Sequence, residues 1–207
     1  MPVAAALATF NASVTQCDSL ISNAHGLDAA GANILPEIDR QQITVAAFLN
    51  MFIAWETFLE AVLSHLMSGA PTTNGNNPVK FASPANPEMA KKMVIGTMRY
   101  FDYGNHFNFK RIAEIYFDQG VPFKPPLDAV NASLDDLRVM RNASAHISST
   151  TQQALESLAL RLLAAPSAGI SLYALLTSPD PGSTTGGTIF ATYKGILLVT
   201  AGVIAAG

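Results

Sequence analysis

Hydrophobic side chains recur at helical spacing along much of this chain. The clearest stretch has six large apolar residues at successive intervals of four, three, four, three and four: Phe48, Phe52, Trp55, Leu59, Val62 and Leu66. Such intervals place side chains on one face of a helix. The stretch therefore predicts a long helix from Glu37 to Met67, which ends where glycine and proline follow.

The rest of the chain shows further helical spacing, interrupted by proline and glycine, and no alternation typical of strands. The predicted helices cover residues 3–23, 87–103, 107–119, 127–145, 149–164 and 170–177. Residues 179–187 are predicted to form a flexible linker, and 188–207 a core or interface helix. The clean apolar run at 195–207 is shorter than the roughly 17–25 residues of a membrane-spanning helix, so we expect no membrane span.

These elements predict an all-α protein. The expected architecture is an up-and-down bundle of four to five main helices over residues 1–165. Residues 166–207 are expected to form a C-terminal extension, whose apolar helix packs on the bundle or on a partner.

Composition limits the possible partners. Charged residues make up 13% of the chain and the net charge is −3, so no global positive field attracts nucleic acid and any RNA contact must be local. So few charges suggest a surface partly covered by a second subunit or a partner, although a surface rich in uncharged polar residues is the alternative. One cysteine and an N-terminus without the basic start of a signal peptide favour a cytoplasmic protein.

The segment from Arg141 to His146 carries the most suggestive chemistry. On a straight helix, residues five apart point about 140° away from each other, so Arg141 and His146 converge only if the helix ends near Ala145. The sequence Ser149-Thr150-Thr151-Gln152 has the form of a capping box and predicts a new helix there. Together these patterns predict a helix junction at the motif.

Such a junction suits the handling of a phosphate. Arginine matches phosphate oxygens with two donors, histidine exchanges a proton near neutral pH, and asparagine donates or accepts without charge. Arg141, Asn142 and His146 are therefore candidates for metal-independent RNA cleavage. The alternative is a surface arginine beside a histidine that caps a helix.

The segment Leu137–His146 resembles the signature of the HEPN superfamily, in which an arginine, often followed by asparagine, precedes a histidine by four to six residues. Residues 48–63, which include Ala54-Trp55-Glu56-Thr57-Phe58-Leu59-Glu60, resemble the long second helix of RiboL-PSP-like bacterial HEPN proteins. The resemblance implies a homodimer that brings two motifs to one cleft. Many HEPN proteins are metal-independent endoribonucleases of toxin–antitoxin and other defence systems; others bind a nucleotide or partner protein without catalysis.

The resemblance also implies roles for individual residues. Arg141 and His146 are expected to be catalytic, without a cofactor, and Asn142 to support them. Glu56 is a further candidate for orienting either catalytic residue, although it also fits the edge of the apolar stripe. In HEPN toxins paired with a nucleotidyltransferase antitoxin, a tyrosine lies two residues after the histidine. Ser148 occupies that position here, so control by modification of that tyrosine is not expected, although an antitoxin or other protein partner remains possible.

A run of aromatic and basic residues from Arg99 to Arg111 provides weaker candidates. Bases stack on aromatic rings and basic side chains hold phosphates, so Tyr103, Lys110 and Arg111 are candidate substrate-binding residues. The alternative is that the aromatic side chains of this run pack in the core. The four histidines lack the paired spacing of metal ligands, and no metal is expected.

Overall fold

The computed structural model describes residues 2–145, 148–184 and 186–207. Within these ranges the chain forms nine α-helices and no β-strand, which confirms the predicted all-α class. The helices are α1 (Pro2–Ala24), α2 (Glu37–Met67), α3 (Pro87–Ile95), α4 (His106–Tyr116), α5 (Lys124–Ala129), α6 (Asn131–Ala145), α7 (Ser149–Leu163), α8 (Leu172–Thr177) and α9 (Ile189–Ala206). How these helices are arranged in a bundle stays a prediction.

Helix α2 has the predicted bounds, and its apolar stripe is buried as expected. The six stripe residues are each at most 3% exposed. At the C-terminal end, the Nζ of Lys80 donates to the carbonyl oxygens of Met67 at 2.8 Å and Leu66 at 3.4 Å. Because the last carbonyls of a helix lack partners within the helix, this lysine stabilises the end of α2.

Two predicted helices differ from the observed ones because of local backbone geometry. Helix α3 ends at Ile95 rather than near residue 103, since Gly96 takes a φ of 57° and its amide donates to the Lys92 carbonyl. The helix predicted from residue 127 consists of two: Val130 (φ −116°, ψ 20°) interrupts the helical geometry between α5 and α6.

The apolar tail forms α9, with one face buried and Val199 and Val203 exposed on the other. Helices α2 and α9 are each long and apolar enough to cross a membrane, a test that the core helix of a soluble protein also passes. The absence of a membrane span therefore stays a prediction.

The helices divide into two compact units, each discontinuous along the chain. Unit 1 comprises Met1–Ala12, Ile53–Leu134 and Ile196–Gly207, and unit 2 comprises Ser13–Phe52 and Asp135–Gly195. The predicted division at residue 165 stays a prediction. Unit 1 contains aromatic packing in which the Phe10 ring lies 5.3 Å from Phe58 and 5.9 Å from Trp55, centre to centre.

Unit 2 contains a buried carboxylate with two partners. Asp136 is 8% exposed. The hydroxyl of Tyr193 donates to Asp136 Oδ2 at 2.6 Å, and Arg161 Nη2 donates to Asp136 Oδ1. Both carboxylate oxygens therefore have a donor, as a buried charge requires. We call these three residues the Asp136 cluster.

Candidate functional site

The arginine of the predicted motif lies near the end of α6, in unit 2. Leu137 and Met140 are fully buried on this helix and fix its orientation, because side chains three apart lie on the same side. Arg141 and Asn142 come directly after them and are half-buried. The apolar spacing of α6 thus leaves the side chains of Arg141 and Asn142 partly accessible.

The guanidinium of Arg141 has one weak contact. Its Nη1 lies 3.5 Å from the amide oxygen of Asn142, at the outer limit of a hydrogen bond. Among the described residues of unit 2, no carboxylate lies within ion-pair distance of it. Since the contact with Asn142 uses one N–H group, the other guanidinium donors are able to bind an anion. The main-chain carbonyl of Arg141 accepts from the Ser144 hydroxyl at 2.6 Å.

The predicted catalytic His146, with Ile147, lies outside the residues that the structure describes. The residue that follows them, Ser148, has an extended backbone (φ −138°, ψ 161°), and α7 begins at Ser149. Helices α6 and α7 are therefore separate, as the motif's spacing requires.

The capping box was predicted one residue too late. Ser148, not Ser149, is the N-cap: its hydroxyl accepts from the Thr151 amide, and the Thr151 hydroxyl accepts from the Ser148 amide at 3.0 Å. Gln152 instead donates to Glu156 and to the Ile170 carbonyl, each at 3.0 Å. Thr151 occupies the third position of the helix, where the capping box usually has glutamate or glutamine. The usual pattern therefore placed the N-cap at Ser149 instead of Ser148.

The predicted supporting residue Glu56 is half-buried on α2 and takes part in a hydrogen-bonding or electrostatic interaction. It belongs to unit 1, whereas Arg141 belongs to unit 2. Its role in orienting the motif stays a prediction.

The three weaker candidates all lie in unit 1 and differ in accessibility. Tyr103 is buried, its ring packs on Phe101 at 4.9 Å, and burial raises the pKa of its hydroxyl well above the usual range. Lys110 is largely buried; its Nζ lies 2.6 Å from Asp128 and 2.8 Å from the Asn131 amide oxygen. Arg111 is exposed, and is the most accessible of the three for an anion.

A groove of about 410 Å³ in unit 2 begins at the motif itself. Ala143 and Ser144 line it from the end of α6, and Tyr173 lines it from α8. Most of the other lining residues lie on α2: Ile38, Gln41, Gln42, Val45, Ala46 and Leu49. Ser171 and Leu172, next to Tyr173, complete the lining. We call this space the α2–α8 groove.

Tyr173 is held in place by a histidine. The rings of His25 and Tyr173 are nearly parallel, 13° apart, with centres separated by 5.8 Å. His25 Nε2 also lies 3.2 Å from the hydroxyl oxygen of Thr44, which is fully buried. Burial, and then the positive charge of Arg40, lower the pKa of His25, which favours the neutral form of its ring.

The sequence did not reveal Tyr173 or the glutamines of the groove. Residues 170–177 were predicted as a short helix without a functional residue, and Gln41 and Gln42 precede the apolar stripe that begins at Phe48. Two adjacent glutamines on α2 could have indicated a polar site. They lie more than a hundred residues before Tyr173 in the sequence, so no local pattern shows that the three residues line one groove.

Among the described residues, no group of three histidine, cysteine, aspartate or glutamate side chains is arranged to hold a metal ion. His146 lies outside the described residues, so the expectation of a metal-free site stays a prediction.

No family model, curated protein or solved structure matches the chain. The likeness to HEPN proteins therefore depends on the two sequence segments described above.

Proposed function

We propose that this protein is a metal-independent endoribonuclease of the toxin or defence type, with an HEPN-like site at Arg141 and His146. One observation supports it most: the half-buried guanidinium of Arg141 has no carboxylate partner in the described part of unit 2, at the end of a helix that stops before a second begins. An arginine so placed keeps its charge available for a phosphate.

The proposed reaction is transesterification of RNA. The ribose 2′-oxygen attacks the adjacent phosphorus as it loses its proton, and the bond from phosphorus to the 5′-oxygen breaks, which leaves a 2′,3′-cyclic phosphate and a 5′-hydroxyl. His146 takes the first proton or returns one to the leaving oxygen. Arg141 stabilises the added negative charge on the phosphoryl oxygens. Asn142 supports the arginine.

The proposed assembly is a cytoplasmic homodimer in which two motifs face one cleft. The low content of charged residues, 13%, supports a surface covered by a second copy. An antitoxin or another protein partner is also proposed. The membrane is not a proposed partner.

The test is incubation of the purified protein with several structured and unstructured RNAs in excess chelator. Wild-type protein is expected to cleave RNA, and His146→Ala to lower the rate by about 10²–10⁴, the usual contribution of one proton-transfer group. RNA that stays intact across all substrates contradicts the proposal. So does cleavage that continues at the wild-type rate in His146→Ala.

A second candidate is a non-catalytic module that binds a nucleotide. The α2–α8 groove favours it, because two residues of the motif segment, Ala143 and Ser144, line a space large enough for a small ligand. This candidate predicts that nucleotides raise the melting temperature of wild-type protein but not of Arg141→Ala, and that RNA is not cleaved.

A further inference from the structure

We propose that the α2–α8 groove binds one nucleobase of the RNA, with Tyr173 as the stacking surface and Gln42 reading the base edge. The proposal rests on the proposed function, since it places this base next to the phosphate bound by Arg141. It assigns base recognition to residues outside the motif.

The groove is continuous with the motif through α6. Ser144 lines the groove and its hydroxyl bonds to the main chain of Arg141, three residues earlier. Side chains three apart on a helix lie on the same side, so Arg141 lies one turn from the groove. A phosphate at Arg141 therefore has an adjoining space for its nucleoside.

Tyr173 is suited to stacking because its position is restrained. One ring face lies against His25, whose other contact is the buried Thr44 hydroxyl. Tyr173 also lines the groove. A base that stacks on a ring already held in place loses less entropy than one that must order a mobile side chain. A neutral His25 behind the ring supplies support without adding a charge that competes for phosphate.

The glutamines provide the polar part of the groove. Gln41 Nε2 donates to Glu37 at 3.0 Å, which leaves its amide oxygen able to accept. Gln42 is exposed and offers a donor and an acceptor side by side. A glutamine amide pairs with the N6 and N7 positions of adenine through two hydrogen bonds. The remaining lining is largely aliphatic, as is usual for pockets that enclose a flat ring.

Binding of mononucleotides tests the proposal without requiring cleavage. AMP, GMP, CMP, UMP and ribose 5-phosphate are titrated in turn into wild-type protein in chelator, with affinity measured by calorimetry. AMP is expected to bind about 5- to 150-fold more tightly than ribose 5-phosphate, the gain that one stacked base provides. Equal affinities of AMP and ribose 5-phosphate, or no AMP binding, overturn the proposal.

Two alanine-to-tryptophan variants separate the groove from the rest of the surface. Ala46 is exposed and lines the groove on α2, so Ala46→Trp fills it without disturbing the core. Ala154 is also an exposed alanine, on α7 and outside the groove. Ala46→Trp is expected to remove the preference for AMP over ribose 5-phosphate, and Ala154→Trp to keep it. An Ala46→Trp protein that retains the full preference overturns the proposal.

Substitutions at Tyr173 and Gln42 test the two assigned roles. Tyr173→Phe keeps the ring and is expected to bind AMP like wild type, whereas Tyr173→Leu is expected to lose the stacking gain. Gln42→Leu is expected to abolish the preference for AMP over the other three nucleotides while binding still exceeds that of ribose 5-phosphate. Wild-type affinity in Tyr173→Leu contradicts the stacking role, and an unchanged base preference in Gln42→Leu contradicts the reading role.

The proposal of base binding in the α2–α8 groove and the proposal of nuclease activity can be contradicted separately. If wild type and Ala46→Trp cleave RNA at the same positions and rate, base binding in the groove is contradicted and the nuclease activity is supported. If AMP binds as expected but RNA stays intact, the proposed nuclease activity is contradicted and the groove belongs to a nucleotide-binding module.

Discussion

Asp136 and Arg141 lie five residues apart on α6, and their charges have different surroundings. Asp136 is buried, with Tyr193 donating to one carboxylate oxygen and Arg161 to the other. Arg141 is half-buried and has a single 3.5 Å contact with the neighbouring asparagine. A charge with all its partners in place contributes to folding, whereas a charge without them remains available for a ligand. Substitutions can therefore separate stability from function on one helix.

The largest expected change in stability comes from Asp136→Ala. It leaves the buried Tyr193 hydroxyl without its acceptor and removes the partner of Arg161, at an expected cost of about 2–3 kcal/mol in unfolding free energy. Urea denaturation followed by circular dichroism measures the change. Asp135→Ala is the matched control, since Asp135 is the exposed neighbour, and is expected to cost less than about 1 kcal/mol. Equal losses in the two variants contradict the assigned importance of the Asp136 cluster.

Tyr193→Phe is expected to have a smaller effect at neutral pH, about 1 kcal/mol, and a distinctive effect in alkali. Burial, and then the bond to Asp136, raise the pKa of the Tyr193 hydroxyl. Above the unfolded tyrosine pKa of about 10, the unfolded chain loses a proton that the folded protein keeps. Wild-type stability therefore falls as pH rises above that value, by up to about 1.4 kcal/mol per pH unit for this group.

Urea denaturation of Tyr193→Phe from pH 8 to pH 11 tests this account. The variant is expected to lose stability with pH less steeply than wild type. Part of the slope remains, since burial also raises the pKa of Tyr103. Parallel slopes for the two proteins contradict the proposed protonation of Tyr193.

The cap at Ser148 is expected to contribute about 1 kcal/mol, a loss similar to that of Tyr193→Phe at neutral pH. Ser148→Ala removes the side-chain acceptor for the Thr151 amide at the start of α7, the helix that carries Arg161. Ser149→Ala is the control at the position where the sequence predicted the cap, and is expected to change stability by less than about 0.5 kcal/mol. A larger loss from Ser149→Ala than from Ser148→Ala contradicts the observed register.

The parts of the fold that the sequence predicted well depend on local patterns. Helix α2 matches its predicted bounds because a continuous apolar stripe and the breaker residues after Met67 act at short range. The end of α3 was predicted too late, since apolar and aromatic residues continue past Gly96 while the backbone there turns to a positive φ. Helical spacing does not reveal which glycine ends a helix.

The Asp136 cluster and the groove depend on contacts between distant residues. In the sequence, Asp136 directly follows another carboxylate, Asp135, and adjacent residues do not face each other on a helix. Its partners follow 25 and 57 residues later, and no pattern within α6 indicates them. Arg141, by contrast, was singled out by the chemistry of its immediate neighbours in sequence. Neighbouring residues in the sequence were therefore enough to single out Arg141 as a candidate. Only the tertiary structure shows that Tyr173 lines the same groove as Ala143 and Ser144.

The most direct measurement compares Arg141→Gln with Arg161→Gln for RNA cleavage in chelator and for urea stability. Arg141→Gln is expected to lose about 10²-fold or more in cleavage rate while its unfolding free energy stays within about 0.5 kcal/mol of wild type. Arg161→Gln is expected to lose about 1–2 kcal/mol of stability and to keep its cleavage rate at temperatures where it remains folded. The account is contradicted if Arg141→Gln cleaves RNA like wild type, or if its loss of activity follows an equal loss of stability.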